Sequence, residues 1–249
     1  MTLAGLTREE DATCKAVLRI GTAGWNVPQS CKERVGGTGS HLERYAAVLN
    51  ATEINSSFHR PHRRSTYEKW ASSTPDDFRF SVKVPKSVTH SSQLARAELD
   101  RFIEESAGLG AKLGVLLVQF APRKMFVQSD AEILFGALRE GTSAALACEP
   151  RHVSWFTPEV GAWLRERRIN RVAADPARVP DADLPGGWSG LHYFRLHGAP
   201  RIYYSAYDGA YLGALKSRLG AASSSGEAWC IFDNTAAGAA LENALDLLP

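Results

Sequence analysis

The chain has 249 residues, 44% of them hydrophobic and 22% charged, with a formal net charge of +2. That length suits one large domain or two small ones with a sizeable core. A charge so near balance excludes a general pull toward nucleic acid or anionic membrane, and no apolar run reaches the roughly 18 residues that a membrane span requires.

The first 15 residues, MTLAGLTREEDATCK, contain acids and lack the apolar core of a secretion signal. Residues 1–16 are expected to form a flexible extension and residues 17–249 one domain. The pattern then becomes regular. An apolar strand over 17–25 ends in Gly24 and Trp25, and a helix over 40–50 has Ser40 as its N-cap. A strand over 51–58, a helix over 64–73 and an alternating strand over 78–85 follow. A helical region spans 93–112, and a continuous apolar strand over 114–122 is stopped by Pro122. A helix over 129–140 opens at Ser129 or Asp130; a strand covers 144–152. The helix over 157–168 takes Thr157 as cap and Pro158 at its first position, where proline is favoured. A strand over 170–176 leads into a segment rich in Pro and Asp. Last come a strand over 192–198, a helix over 207–219, a strand over 228–234 and a helix over 236–248.

Eight strands alternating with close to eight helices imply parallel pairing through right-handed crossovers, which predicts an α/β fold: a single (β/α)8 TIM-barrel-like domain. A doubly wound open sheet is the alternative, but GTAGW after the first strand is not the glycine-rich phosphate loop that fold usually carries.

In a barrel of this kind the active site lies at the C-terminal ends of the strands, and polar residues gather late in each predicted strand. The second ends with Glu53, Asn55 and Ser57 on one face; the third with Ser81 and Lys83, then Thr89 and His90. The fourth ends at Gln119, the fifth with Glu149 and Arg151 before His152 and Trp155, and the sixth at Asp175. The seventh carries Tyr193, Arg195 and His197 on one face, because side chains two apart in a strand point the same way. The eighth ends with Asp233 and Asn234. A single polar residue at a strand end is commonly a solvated rim position or a helix cap, and Asp175 and Asn234 are open to that reading. The whole set desolvates several charges together, which costs several kcal/mol per ion even when paired, so stability alone gives poor reason for it.

The stretches IGTAGW, ATEINSSFHRP, FRFSVKVPKSVTH, GVLLVQFAP, ACEPRHVSW, RLHG and FDNTAAGAALENA, in this order over residues 19–247, resemble the YecE-like proteins, the domain-of-unknown-function family numbered 72. The resemblance implies a TIM-barrel-like fold and no settled activity. The chain departs from it over residues 26–40, where many members carry an aromatic segment, and at Asp233-Asn234, where many have two Asn.

The residues themselves point to acid–base chemistry on a small anionic substrate, phosphorylated or carboxylated, without a redox cofactor. Lys83, Arg151, Arg195 and His197 supply converging positive charge, and arginine's planar fork suits carboxylate or phosphate. Glu149 is the candidate general acid or base, His197 the proton shuttle, and Lys83 an electrophile or, if neighbouring cations depress its pKa, a Schiff-base nucleophile. Trp25, Glu53, Asn55, His90, Gln119, Arg151, Trp155, Asp175, Arg195, Tyr203 and Asn234 are expected to line the substrate site, with Tyr203 and Tyr204 laid over a ring-bearing ligand or packed on the rim. Two alternatives stand beside this. A divalent ion of the Mg or Mn class could sit among Glu53, Glu149, Asp175 and His197, although Lys and Arg compete for those carboxylates. Nucleic acid could bind the basic run HRPHRR at 59–64. Cys14, Cys31, Cys148 and Cys230 show no CxxC pairing and read as free thiols of a cytoplasmic protein.

Overall fold

The computed structural model describes residues 17–91 and 94–248. The extension expected over 1–16, with Cys14, lies outside them. In chain order the elements are β1 (Leu18–Thr22), α1 (Lys32–Val35), α2 (His41–Ala46), β2 (Ala51–Ile54), α3 (Arg64–Ser72), β3 (Arg79–Lys83), α4 (Lys86–Thr89), α5 (Arg96–Ser106), β4 (Leu113–Gln119), α6 (Gln128–Gly141) and β5 (Ala145–Glu149). They continue with α7 (Pro158–Glu166), β6 (Ile169–Arg171), β7 (Ala173–Asp175), β8 (Gly186–Gly187), β9 (Leu191–Leu196), α8 (Gly209–Ser223), β10 (Glu227–Phe232) and α9 (Ala239–Leu247). The α/β alternation holds. Among the described residues no helix is long and apolar enough to cross a membrane.

Local chemistry sets the helix starts. Ser40 and Glu43 form a capping box on α2: Glu43 N–H donates to Ser40 Oγ and Ser40 N–H to Glu43 Oε2, at 3.3 and 2.7 Å. Thr157 caps α7, with Pro158 inside its first turn. Asp208 accepts the Tyr211 N–H at the start of α8. By contrast α6 begins at Gln128 with no side-chain cap, so neither Ser129 nor Asp130 opens it.

The strands form two sheets, in the orders β1-β10-β9-β7 and β2-β3-β4-β5-β6-β8. Every pairing is parallel except β6 with β8. Two differences from the expected eight strands have local causes. The sixth strand is interrupted at Val172, whose N–H reaches Cys148 O, so that β6 pairs with β5 and β7 with β9. No helix forms between β7 and β9; the chain instead turns back at Gly186–Gly187, where Gly187 takes a positive φ of 68° and a Cβ would fall 2.4 Å from Ile169 O.

The two sheets meet twice. On one side they share the segment 169–175, and on the other Ala23 bridges Glu53, with Gly24 N–H donating to Glu53 O at 2.8 Å. At both junctions an asparagine amide stands in for a neighbouring strand. Asn50 accepts from Ile20 N–H and donates to Leu18 O, both at 2.9 Å. Asn170 accepts from Tyr193 N–H at 3.2 Å and donates to Leu191 O at 2.6 Å. Gly21 permits the first approach, since a Cβ there would lie 2.0 Å from Ala51 O.

Two hydrophobic cores result. The larger lies between strands and helices and takes alternate strand residues such as Ile54, Val82, Leu116, Val118 and Phe232. The smaller is enclosed by the sheets and takes the intervening residues: Ala51, Val115, Leu117, Ala147, Val172, Tyr193, Trp229 and Ile231. Strands buried on both faces read as continuous apolar runs, as in LGVLLVQ of β4.

Candidate functional site

The inward rows of the strands change character toward their C-terminal ends. Trp229, Val115 and Leu191 lie deep and apolar. Glu53, Ser81, Lys83, Gln119, Glu149 and Arg195, all buried, lie further along, with His197 and Asp233 just past β9 and β10. Strand parity selects them: Tyr193, Arg195 and His197 share one face of β9 and its extension, and Arg195 shares Glu53 with Tyr193 and Glu149 with His197.

Arg195 is the centre of the cluster and has no exposed surface. Its Nε and Nη2 reach Glu53 at 3.0 and 2.7 Å, its Nη1 reaches Glu149 Oε2 at 3.0 Å, and Nη2 also lies 3.0 Å from Asp233 Oδ2. Glu149 Oε1 receives Gln119 Nε2 at 2.9 Å and Arg151 Nη2 at 3.1 Å, with His197 Nε2 at 3.3 Å. The other imidazole nitrogen, Nδ1, is 3.0 Å from Asp233 Oδ2, and Asn55 donates to Asp233 Oδ1 at 3.3 Å. Beneath them Tyr193 donates to Glu53 Oε2 at 2.9 Å and lies 2.9 Å from Ser81 Oγ.

These contacts bias the protonation of each group in a definite direction. Burial alone would raise the Glu149 carboxyl, but the charges of Arg195, His197 and Arg151 hold it well below the usual carboxylate range. Asp233 is lowered in the same way, Arg195 and His197 overcoming its burial. Burial would lower His197, yet Glu149 and Asp233 raise it. Burial and the Glu53 charge push the Tyr193 phenol far up, so it stays a hydrogen-bond donor.

Lys83 differs from the rest. Its Nζ makes no hydrogen bond or ion pair to the described residues and lies 4.0 Å over the face of Phe58, which a 3-10 turn at Ser56–Phe58 brings to the strand ends. Burial, then the Arg195 charge, lowers its pKa to about 8 against the opposing pull of Glu53, Glu149 and Asp233. The Phe58 ring also meets His90, edge to face at 5.3 Å, and Tyr203 stands edge-on to His197 at 5.7 Å.

The sequence candidates therefore divide. Glu53, Asn55, Gln119, Glu149, Arg151, Arg195 and His197 are joined in one network, with Lys83, His90 and Tyr203 beside it. Four candidates lie elsewhere. Trp155 is buried, stacked on Phe120 at 4.6 Å, with its indole N–H on Lys124 O, and it lines an apolar cavity of about 240 Å³ between α4 and α6. Asp175 accepts the Tyr207 hydroxyl at 2.7 Å on the α8 side of the strand. Asn234 donates to Ser205 O and Asn243 Oδ1, tying the loop after β9 to α9. Trp25 packs edge-on against Trp70 at 5.0 Å and borders a separate cleft, which it shares with Asn55.

Two expectations about roles change. Arg195 offers no donor to a ligand, because three carboxylates occupy its guanidinium. Glu149 is held ionised by its partners and is poorly suited to take up a proton near neutrality. Nor do Glu53, Glu149, Asp175 and His197 gather as a metal centre: Asp175 points away, Arg195 fills the space between the carboxylates, and among the described residues no group of three or more His, Cys, Asp or Glu is placed to hold an ion. Asp233 is the residue left out of the expected site. Its parity with Ile231 would have found it, since Ile231 faces inward while Phe232 and Asn234 face the helices.

Residues 19–249 match the model of the family described as "Protein of unknown function DUF72". Two curated relatives, each named UPF0759 protein YecE, come from Escherichia coli strains K12 and O157:H7. They are 27% and 28% identical over 175 residues, which cover 66% of this chain and 61% of theirs. The aligned stretch thus spans less than two thirds of those relatives' length. Among solved structures, a DUF72 family protein from Enterococcus faecalis superposes with a TM-score of 0.77 at 22% identity, covering 93% of this chain and 94% of that one. Another from Thermotoga maritima gives 0.74 at 25% identity, covering 93% and 97%.

Proposed function

We propose, for a chain that belongs to the DUF72 family, a function read from its buried charge cluster: acid–base catalysis on a small anionic substrate, phosphorylated or carboxylated. In this reading the two sheets are halves of one (β/α)8 TIM-barrel-like domain, and the substrate enters at the C-terminal ends of the strands of a cytoplasmic protein. The observation that carries it is a charge count. Glu53, Glu149 and Asp233 balance Lys83, Arg151 and Arg195, and His197, when protonated as Glu149 and Asp233 favour, adds one positive charge without a match. An unmatched buried charge costs several kcal/mol. A bound anion removes that cost, and Arg151 Nη1, which makes no hydrogen bond to the described residues, is free to meet it.

His197 is the proton carrier. Asp233 holds Nδ1 and keeps the ring oriented; the longer 3.3 Å contact leaves Nε2 the nitrogen from which a proton passes to the substrate. Glu149 and Arg195 are positioning residues, the first keeping His197 charged and the second holding the carboxylates in place.

The test is a thermal-shift panel of phosphorylated and carboxylated metabolites, followed by NMR of the same compounds incubated with protein. A ligand of this class raises the wild-type Tm by mass action. The shift fades as pH rises through the His197 titration, and His197→Gln, which lacks the unmatched charge, shows little shift at any pH and leaves the compound unconverted. Stabilisation only by long single-stranded nucleic acid, with steep salt dependence, would overturn the reading in favour of the basic run at 59–64.

A further inference from the structure

We infer that Lys83 is a covalent nucleophile that forms a Schiff base with an aldehyde or ketone carbonyl of the substrate. The inference rests on the anion-site reading above and narrows it to carbonyl compounds bearing a phosphate or carboxylate.

The argument begins with a contrast between two buried or partly buried lysines. Lys112 is a structural one: its Nζ donates to Ala71 O at 2.7 Å, to Thr74 O at 2.6 Å and to Thr74 Oγ1 at 3.3 Å. All three of its protons have acceptors. Lys83 is more buried, at 6% exposure, and yet its three protons have no acceptor among the described residues. Acceptors are not scarce around it, since the Glu53, Glu149 and Asp233 carboxylates act on it electrostatically. They are already engaged by Arg195, Arg151, Gln119, Asn55 and His197. A lysine placed for stability would pair with one of them. A lysine placed for electrostatic anion binding gains nothing from an aromatic wall that desolvates it. A nucleophile needs what Lys83 has: a rigid stem on the last residue of β3, an apolar face in Phe58, and no partner to hold its lone pair's proton.

The lowered pKa agrees with this geometry. With a value of about 8, roughly a tenth of the Lys83 side chains are neutral at pH 7, against fewer than one in a thousand for an ordinary lysine near ~10.4. The step balances as follows. The Nζ lone pair forms a bond to the carbonyl carbon, and the carbonyl π pair moves to oxygen. One Nζ proton and one proton from the His197 imidazolium end on that oxygen, which leaves as water. The products are a protonated imine on Lys83 and neutral His197. The imine then withdraws electrons from the adjacent carbon, so bond cleavage or proton loss at that carbon is the class of reaction to expect.

The test uses glyoxylate, which carries both an aldehyde and a carboxylate, with sodium cyanoborohydride as hydride donor. Whole protein is treated at pH 7 and digested, and the order of lysine carboxymethylation is read by mass spectrometry. Lys83 should be modified at least ten-fold faster than Lys112, Lys124 and Lys216, and the preference should vanish in denaturant. Inorganic phosphate, added as competitor, should slow Lys83 alone, and His197→Gln should slow it as well. If glyoxylate or phosphate raises the Tm but Lys83 reacts no faster than the other lysines, the nucleophile is refuted and the anion site stands. If neither compound stabilises the protein and no lysine is preferred, both readings fall.

Discussion

Replacing Lys83 by methionine should make the protein more stable at pH 7. Methionine keeps the length of the apolar stem and removes the ammonium, and volume-conserving exchanges in packed sites are tolerated well. A lysine whose folded pKa lies below its unfolded value carries a penalty. That penalty is fully present below the folded pKa and is relieved as pH rises toward the unfolded one. Here the folded value is about 8 and the ordinary value 10.5. The difference corresponds to a penalty of about 3 kcal/mol, each pKa unit being worth ~1.4 kcal/mol. Against it stands the loss of the ammonium on the Phe58 face, about 0.5–2 kcal/mol. Lys83→Met should therefore gain about 1–3 kcal/mol at pH 7, and most of that gain should disappear by pH 10. Urea unfolding of both proteins at the two pH values, with m unchanged, gives the difference directly. A variant less stable than wild type at pH 7, or a gain of equal size at pH 10, would refute the view that burial costs the Lys83 ammonium more than its surroundings return. The expected outcome, higher stability without function, is common where a site holds a residue under strain for its chemistry.

Arg195→Met should act in the opposite direction, costing about 3–5 kcal/mol at pH 7, since breaking a buried pair leaves uncompensated charge. The deficit should shrink between pH 7 and pH 5, because the released carboxylates then bind protons more readily folded than unfolded; urea midpoints measure this, and a loss below about 1 kcal/mol would contradict the network. Asp233→Asn removes the carboxylate at His197 Nδ1 and should lower the His197 pKa, read from an NMR titration of the ring. In the wild type, His197 is raised, so its stabilising contribution is full below the unfolded value of about 6.5 and is lost as pH rises through its folded pKa; a midpoint unmoved by Asp233→Asn would count against the pairing.

Strand parity made much of this site legible. Tyr193, Arg195 and His197 could be placed on one face because a strand has a period of two, and Glu53, Lys83, Gln119 and Glu149 because polar residues end apolar runs. A polar residue at a strand end does not by itself show which face it takes. Asp175 and Asn234 follow the parity of Ala173 and Phe232, which face the helices, and their side chains point to the α8 and α9 sides. Trp155 follows β5 by several residues and is drawn into the apolar layer under α6, where its area is best buried. Pairing was also illegible. Counting cations suggested a positive pocket, but the carboxylates that neutralise Arg195 come from β2, from β5 and from just past β10, far apart in sequence. In the fold, the helix–strand alternation was readable, while the interruption at Val172 and the return at Gly186–Gly187 depend on backbone positions that no hydrophobic period reveals.

The asparagines at the two sheet junctions give the architecture an unusual dependence. Ordinary strand pairing is nearly blind to sequence, since every residue except proline brings the same donor and acceptor. Asn50 and Asn170 do the same task with a side chain, and only a carboxamide of that length offers both groups at that reach. Aspartate would accept from Ile20 or Tyr193 but leave Leu18 O or Leu191 O without its donor. Both asparagines lie on the side of one sheet, Asn50 just before β2 and Asn170 in β6, and both receiving strands, β1 and β9, belong to the other. Residues 50–171 thus carry both clasps, and the chain on either side meets them with backbone alone.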